Sequence, residues 1–323
     1  MSKSLKIIFA GTPEFAAQNL ASLINSQHEV IAVYTQPDRR SGRGKKIKFS
    51  AVKEIALTHD IPVYQPTNFK ADQDLQQLAT LNGDIMVIVA YGLILPQKVL
   101  DTPPLGCINV HASLLPRWRG AAPIERSLLA GDSHTGVTIM QMDKGLDTGD
   151  MLNSASLEIS SEMNSQQLHD CLIPLGSNEL IKTINEISMG LHKPVKQDNN
   201  LANYAEKLQK TEGVIDWNQS AAAIALKVRG LNPRPVAYSA LNELVIRIWA
   251  AKEVNVPTDS PYIKVGTIIK ADKKGIEVSC LNNTRLLITR LQLPGGKQLE
   301  AKVIINAKKE LFLPNNQFSS IAD

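Results

Sequence analysis

Two domains are expected from this chain, a doubly wound, mostly parallel α/β sheet and then a smaller β-barrel, and three observations carry that expectation. At 323 residues the chain exceeds the roughly 250–300 that a single hydrophobic core organises. Apolar β-type runs alternate with helical patterns through the first 150 residues. Beyond Glu206 the pattern changes to short strand-like pieces separated by turn residues. With 43% hydrophobic and 20% charged residues, the composition is that of a globular protein and excludes collagen-like, low-complexity and wholly disordered chains.

In order, Leu5–Ala10 reads as a strand and Pro13–Ile24 as the helix that follows it. Val30–Thr35 leads through a basic loop to a helix over Ala51–His59, Asp84–Ala90 leads to Pro96–Leu100, and Cys107–His111 leads to Pro123–Ala130. Gly136–Met142 and Met151–Ile159 are further strands, and Ser165–Met189 is a long helix. The runs Lys6–Ala10 and Ile85–Ala90 are apolar without alternation, as in central parallel strands covered on both faces. Ligands on such sheets bind beyond the carboxyl ends of the strands, which directs attention to Gly11–Phe15 and Asn109–His111. Polar Lys193–Asn203 reads as a linker, and the expected boundaries are 1–190, a linker over 191–206, and 207–323. The last segment has one helical pattern, Ala221–Arg229, and about five short strands, which fits an OB-like barrel suited to irregular or single-stranded nucleic acid.

Charge is unevenly placed. The net charge is +4, but 18 Lys and Arg stand against 21 Asp and Glu up to Glu206, and 17 against 10 beyond it. Within the acidic first part, Arg39, Arg40, Arg43, Lys45, Lys46 and Lys48 fall in one Gly-containing run. Two such concentrations point to a polyanion, because clustered cations gain affinity by displacing condensed counterions from phosphates. No run approaches the roughly 18 uninterrupted apolar residues of a membrane span, and the first residues carry no secretory pattern, so a cytoplasmic protein away from membranes is expected; a monomer is expected as well.

Several chemistries are disfavoured. Gly11-Thr-Pro-Glu-Phe15 lacks G-x-G-x-x-G, and Gly42-Arg-Gly-Lys-Lys46 lacks the phosphate-loop spacing, so neither a dinucleotide nor ATP is expected. Cys107, Cys171 and Cys280 are far apart and form no C-x-x-C, the five histidines other than His111 show no ligand spacing, and no metal is expected. No G-x-S-x-G is present, which disfavours a covalent enzyme intermediate. What remains is Asn109 and His111, two apart on one strand face, with Asp143, Asp147 and Asp150 in the loop after the next strand. An amide donor and an imidazole side by side can stabilise a tetrahedral oxyanion and handle a proton, and one of the aspartates could complete the group.

The run Asn109-Val-His111-Ala-Ser113-Leu-Leu-Pro116, with Arg117-Trp-Arg-Gly-Ala-Ala-Pro123 and Gly145-Leu-Asp147-Thr-Gly-Asp150, resembles the signature of the folate-dependent formyltransferases. Gly11-Thr-Pro13, Gln36-Pro-Asp38, the Gly42–Lys46 run and Ile215-Asp-Trp217 are similar to members acting on methionine carried by initiator tRNA. The resemblance implies a Rossmann-like catalytic domain and 10-formyltetrahydrofolate as formyl donor, with no metal and no nucleotide cofactor. It implies catalytic roles for Asn109, His111 and Asp147, a folate pocket lined by Ser113, Leu114, Leu115 and Pro116, and tRNA contacts at Arg43, Lys45, Lys46, Lys207 and Lys210. The rival is formyl transfer to a small amine, such as glycinamide ribonucleotide or an amino sugar, which would need neither the basic loop nor the basic second domain. A non-catalytic RNA-binding protein is disfavoured by the intact Asn109, His111 and Asp147.

Overall fold

A computed structural model describes residues 3–41, 46–257 and 259–319. The chain forms two compact units: one gathers residues up to Pro123 with His134–Glu158 and His169–Ala205, and the other gathers Ile124–Ser133, Ile159–Leu168 and the residues from Glu206 onward.

The sequence of elements is β1 (Lys6–Gly11), α1 (Glu14–Ile24), β2 (Glu29–Tyr34), β3 (Arg39–Ser41), β4 (Lys46–Lys48), α2 (Ala51–Thr58), β5 (Val63–Tyr64), α3 (Asp72–Thr80) and β6 (Ile85–Val89). Next come α4 (Gln97–Leu100), β7 (Cys107–His111), β8 (Arg119–Gly120), α5 (Pro123–Ala130), β9 (His134–Gln141), β10 (Met151–Glu158), α6 (Ser165–Ser188) and β11 (Tyr204–Ala205). The first unit is built on a seven-stranded sheet ordered β10-β9-β7-β6-β1-β2-β5. The strands from β7 to β5 are parallel, and at one edge β9 pairs antiparallel with β7 and β10 antiparallel with β9. All five residues of β6 are buried, as expected of a strand with no solvent face. At the first crossover, a methyl group on Gly11 would stand 2.6 Å from Ala16 Cβ and 2.8 Å from the Val89 carbonyl oxygen, so only glycine lets α1 approach β1 and β6 this closely. The start of α2 is fixed by Ser50, whose hydroxyl accepts from Lys53 N–H and meets Thr35 Oγ1 at 2.7 Å.

The second unit holds α7 (Ala221–Gly230), β12 (Ala237–Leu241), β13 (Leu244–Val254), β14 (Ile268–Asp272), β15 (Gly275–Ser279), β16 (Arg285–Gln292), β17 (Leu299–Glu300), α8 (Ala301–Ala307) and β18 (Phe318–Ser319). Its antiparallel sheet runs β14-β15-β16-β13-β12-β18. A bridge between Thr267 and Gln317 joins its two ends, the curling expected of an OB-like barrel, which leaves little unpaired edge. Ile215 and Trp217 lie in its core; the Trp217 ring stacks on Phe318 at 5.3 Å, and its Nε1–H donates to Ser239 Oγ. The Ile215-Asp-Trp217 motif therefore builds the barrel core.

Residues 191–206 are bonded into the first unit almost to the end. Val195 pairs with Met151, β11 pairs in parallel with β8, and Asn203 accepts from the Arg119 and Trp118 backbone N–H groups through its carbonyl and its side-chain oxygen.

Candidate active site

Strand β7 brings Asn109 and His111 to its carboxyl end, where β9 places Met140 opposite Asn109 and Thr138 opposite His111. His111 is 5% exposed and its Nε2 lies 2.8 Å from the Trp118 carbonyl oxygen. A carbonyl only accepts, so Nε2 carries the hydrogen and Nδ1 presents its lone pair. That Nδ1 faces Asp147 Oδ2 at 3.7 Å. A proton taken up there lies between the ring and a carboxylate.

The Asp147 carboxylate is 14% exposed, and its Oδ2 accepts from Gly120 N–H at 2.8 Å. Asp147 stands at φ +55, a left-handed conformation uncommon for a residue with a side chain. Gly120 is at φ +113, and a methyl group there would meet the Ala205 carbonyl oxygen at 2.9 Å, so glycine is required where β8 is pressed against β11. Half-buried Asn109 uses its side-chain amide in no hydrogen bond among the described residues, which leaves its N–H groups for a ligand. Burial pushes the neighbouring Cys107 thiol up to about 12, so this strand offers no thiolate nucleophile. Asp143 is used locally: its carboxylate accepts from Gly145 N–H and from the Thr148 hydroxyl.

The turn after β7 is fixed from within. Thr138 Oγ1 donates to the Ser113 carbonyl at 2.7 Å and accepts from Leu115 N–H, while Ser113 Oγ donates to the Arg117 carbonyl at 2.6 Å. Ser113 and Leu115 are buried, and Leu114 and Pro116 are half-buried. At the end of β2, Lys53 Nζ donates to Asp38 Oδ2 at 2.6 Å and to Gln65 Oε1, and Gln65 Nε2 returns to Asp38 Oδ1 and the Gln36 carbonyl. The Lys53 hydrogen bond holds the Asp38 carboxyl below its ordinary range. This clamp fixes the stem of a hairpin in which Arg39 pairs with Lys48 and Arg40 with Ile47. Lys46 opens β4, whereas Arg43 and Lys45 lie outside the described residues. Ile47 and Phe49, beside these cations, are exposed.

In the second unit, Lys207 and Lys210 are exposed and enter no ion pair among the described residues. Glu212, in the turn that follows, is gripped by both terminal nitrogens of Arg126, which hold its carboxyl below the usual range. Among the described residues no group of three or more His, Cys, Asp or Glu side chains is arranged to hold a metal ion. No helix among them is long and apolar enough to cross a membrane.

Three groups at the site carry no signature of their own in the sequence: Gln197 and Asn203, in the polar stretch before the second unit, and the Arg119 side chain. Gln197 Nε2 donates to the Asp147 and Gly149 carbonyls, and Arg119 Nε donates to Gln197 Oε1. No local pattern marks Gln197, because its partners lie 48 to 78 residues away. The only signal for Arg119 is its place in the Arg117-Trp-Arg-Gly120 run.

A doubly wound sheet that carries Asn109 and His111 at the carboxyl end of β7, with Asp147 facing the imidazole, offers groups that can bind an oxyanion and handle a proton. The chain belongs to the formyl transferase family: the formyl transferase model matches residues 4–184, and the formyl transferase C-terminal domain matches residues 207–309. Among solved structures, the N-formyltransferase from Helicobacter canadensis in complex with folinic acid and dTDP-3-aminofucose superposes with a TM-score of 0.67 at 17% identity, over 88% of this chain and 98% of that one. The sugar 3N-formyltransferase WlaRD gives 0.66 at 16% identity, over 91% and 100%. HypX from Aquifex aeolicus, in complex with tetrahydrofolic acid, gives 0.62 at 14% identity, over 96% of this chain and 48% of its own.

Proposed function

We propose that this protein transfers the formyl group of 10-formyltetrahydrofolate to the α-amino group of methionine carried by initiator tRNA. The neutral amine attacks the formyl carbon, Asn109 N–H groups stabilise the oxyanion that develops, and the lone pair on His111 Nδ1 takes up the amine proton, so that the imidazolium adds to that stabilisation. Asp147 balances the imidazolium and assists passage of the amine proton to the departing folate nitrogen. The formyl group passes directly from donor to acceptor, in keeping with the absence of an activated nucleophile among the site residues named above. Folate as donor is supported by the family and by the folate compounds named in the complexes of the two relatives from Helicobacter and Aquifex. The pocket assigned to it includes Ser113, Leu114, Leu115 and Pro116.

The observation that carries the acceptor is the concentration of six cations in the Arg39–Lys48 run, just beyond the carboxyl end of β2. A small amine needs no such charge, whereas an acceptor stem does. Arg43, Lys45 and Lys46 are assigned to that stem, with Lys207 and Lys210 as further tRNA contacts. The second reading, transfer to an amino sugar, is favoured by the names of two structural relatives. Arg43→Ala separates the two: KM for charged initiator tRNA should rise roughly tenfold while KM for the folate donor stays put, since one lost phosphate contact acts on the acceptor alone. Equal losses for both substrates would count against a tRNA loop.

A further inference from the structure

We propose that Gln197 is the positioning residue for Asp147, held in its role by the buried guanidinium of Arg119. The inference rests on the reading of Asp147 as a participant in formyl transfer. The groups form a closed circuit of hydrogen bonds joined through the backbone. His111 Nε2–H donates to the Trp118 carbonyl; the next residue, Arg119, donates through Nε to Gln197 Oε1 at 2.9 Å; Gln197 Nε2 donates to the Asp147 carbonyl at 2.9 Å and to the Gly149 carbonyl at 2.7 Å. Asp147 Oδ2 closes the circuit by accepting from Gly120 N–H, beside Arg119. Both ends of the His111–Asp147 pair thus hang on the strap 118–120, and Gln197 ties that strap to the backbone of the loop that carries Asp147.

Three features distinguish this from ordinary packing. Arg119 is 2% exposed, yet no carboxylate pairs with it among the described residues; its side chain donates to two neutral amides, Gln197 Oε1 and Asn199 Oδ1. Burying a charge without a counter-ion is costly, and a fold retains it where the donor geometry has a use. The orientation of the Gln197 amide is fixed by chemistry: guanidinium can only donate and backbone carbonyls can only accept, so Oε1 must face Arg119 and Nε2 must face the loop. Finally, Asp147 occupies a left-handed conformation uncommon outside glycine, and Gln197 bonds its carbonyl and that of Gly149, fixing that turn from both sides.

The test is a double-mutant cycle on the full-length protein, with formyl transfer to charged initiator tRNA as readout. Gln197→Glu keeps a partner for Arg119 but removes both donors to the loop. It should lower kcat roughly 10- to 100-fold, the penalty of a misplaced reacting group, with both KM values within about threefold and the melting temperature preserved. Gln197→Leu removes the amide altogether and should behave alike if it folds. In an Asp147→Ala background the same substitutions should change kcat less than about twofold, because nothing remains to be positioned. Equal losses in both backgrounds would overturn the proposal, since a merely structural role is indifferent to the Asp147 side chain. Hydrogen exchange of amides 145–149 supplies a second readout that needs no substrate. It should quicken in Gln197→Glu, and unchanged exchange overturns the proposal even if the unaltered protein formylates no tRNA, an outcome that would sink only the acceptor assignment.

Discussion

His111 and Asp147 are 36 positions apart in sequence and meet at 3.7 Å, and the chemistry depends on which atoms face each other. Because Nε2–H is committed to the Trp118 carbonyl, only Nδ1 is free to exchange a proton, and the Asp147 carboxylate faces that atom. Asp147→Asn should retain an oxygen for Gly120 N–H and lose only the charge. It is expected to lower kcat roughly 100-fold with little effect on either KM or on the melting temperature, and activity within a few-fold of normal would remove the carboxylate from the reaction. Asn109, His111 and Asp147 were legible because they fall in ordered motifs. The left-handed turn at Asp147 and the tautomer of His111 were not, because both are set by contacts to Trp118, Gly120 and Gln197 that no spacing rule encodes.

The elements that could be read in advance are those with their own apolar period or run: β1, β6, β7 and α1 fall within a residue or two of their expected bounds. The two-residue strands β8 and β11 exist only by pairing with each other, 85 positions apart, and have no local signature. The short helix α8 went unread because Val-Ile-Ile at its centre carries β propensity that burial of Ile304 and Ile305 in the barrel core overrides. Two elements carry predictions of their own. Trp217, 3% exposed and stacked on Phe318, anchors the barrel, and Trp217→Ala should destabilise it by about 3–5 kcal/mol in chemical denaturation. His28 accepts from Leu5 N–H at Nδ1 and donates from Nε2 to Asn185, tying the start of β1 to α6. Burial lowers its pKa from the ordinary 6.5 against the opposing effect of the Asn185 hydrogen bond. The unfolded chain therefore binds the proton more tightly, so the stability His28 contributes is present above pH 6.5 and is lost as pH falls below it. Melting temperatures between about pH 7 and pH 5 should fall for the natural protein and fall less for His28→Asn, which keeps an acceptor without a titration; parallel curves would contradict this.

Taken together, the chain combines an acidic part up to Glu206 with two concentrations of positive charge, the Arg39–Lys48 run and the residues beyond Glu206. If both meet phosphates, tRNA affinity should fall steeply and log-linearly with salt, with a slope of about −0.7 to −0.9 per phosphate neutralised, and Arg43→Ala should reduce that slope by about one unit. A flat response would mean that these cations are only solvated. The structural relatives named for amino sugars share the fold at 16–17% identity, which leaves the acceptor to be decided by the residues that differ. The decisive measurement is transfer of labelled formyl from 10-formyltetrahydrofolate in parallel reactions containing charged initiator tRNA, charged elongator methionine tRNA, glycinamide ribonucleotide or a nucleotide-linked amino sugar. Label on the initiator methionine alone is the predicted result; label on the ribonucleotide or the sugar, with none on tRNA, would preserve the folate chemistry and contradict the acceptor proposed here.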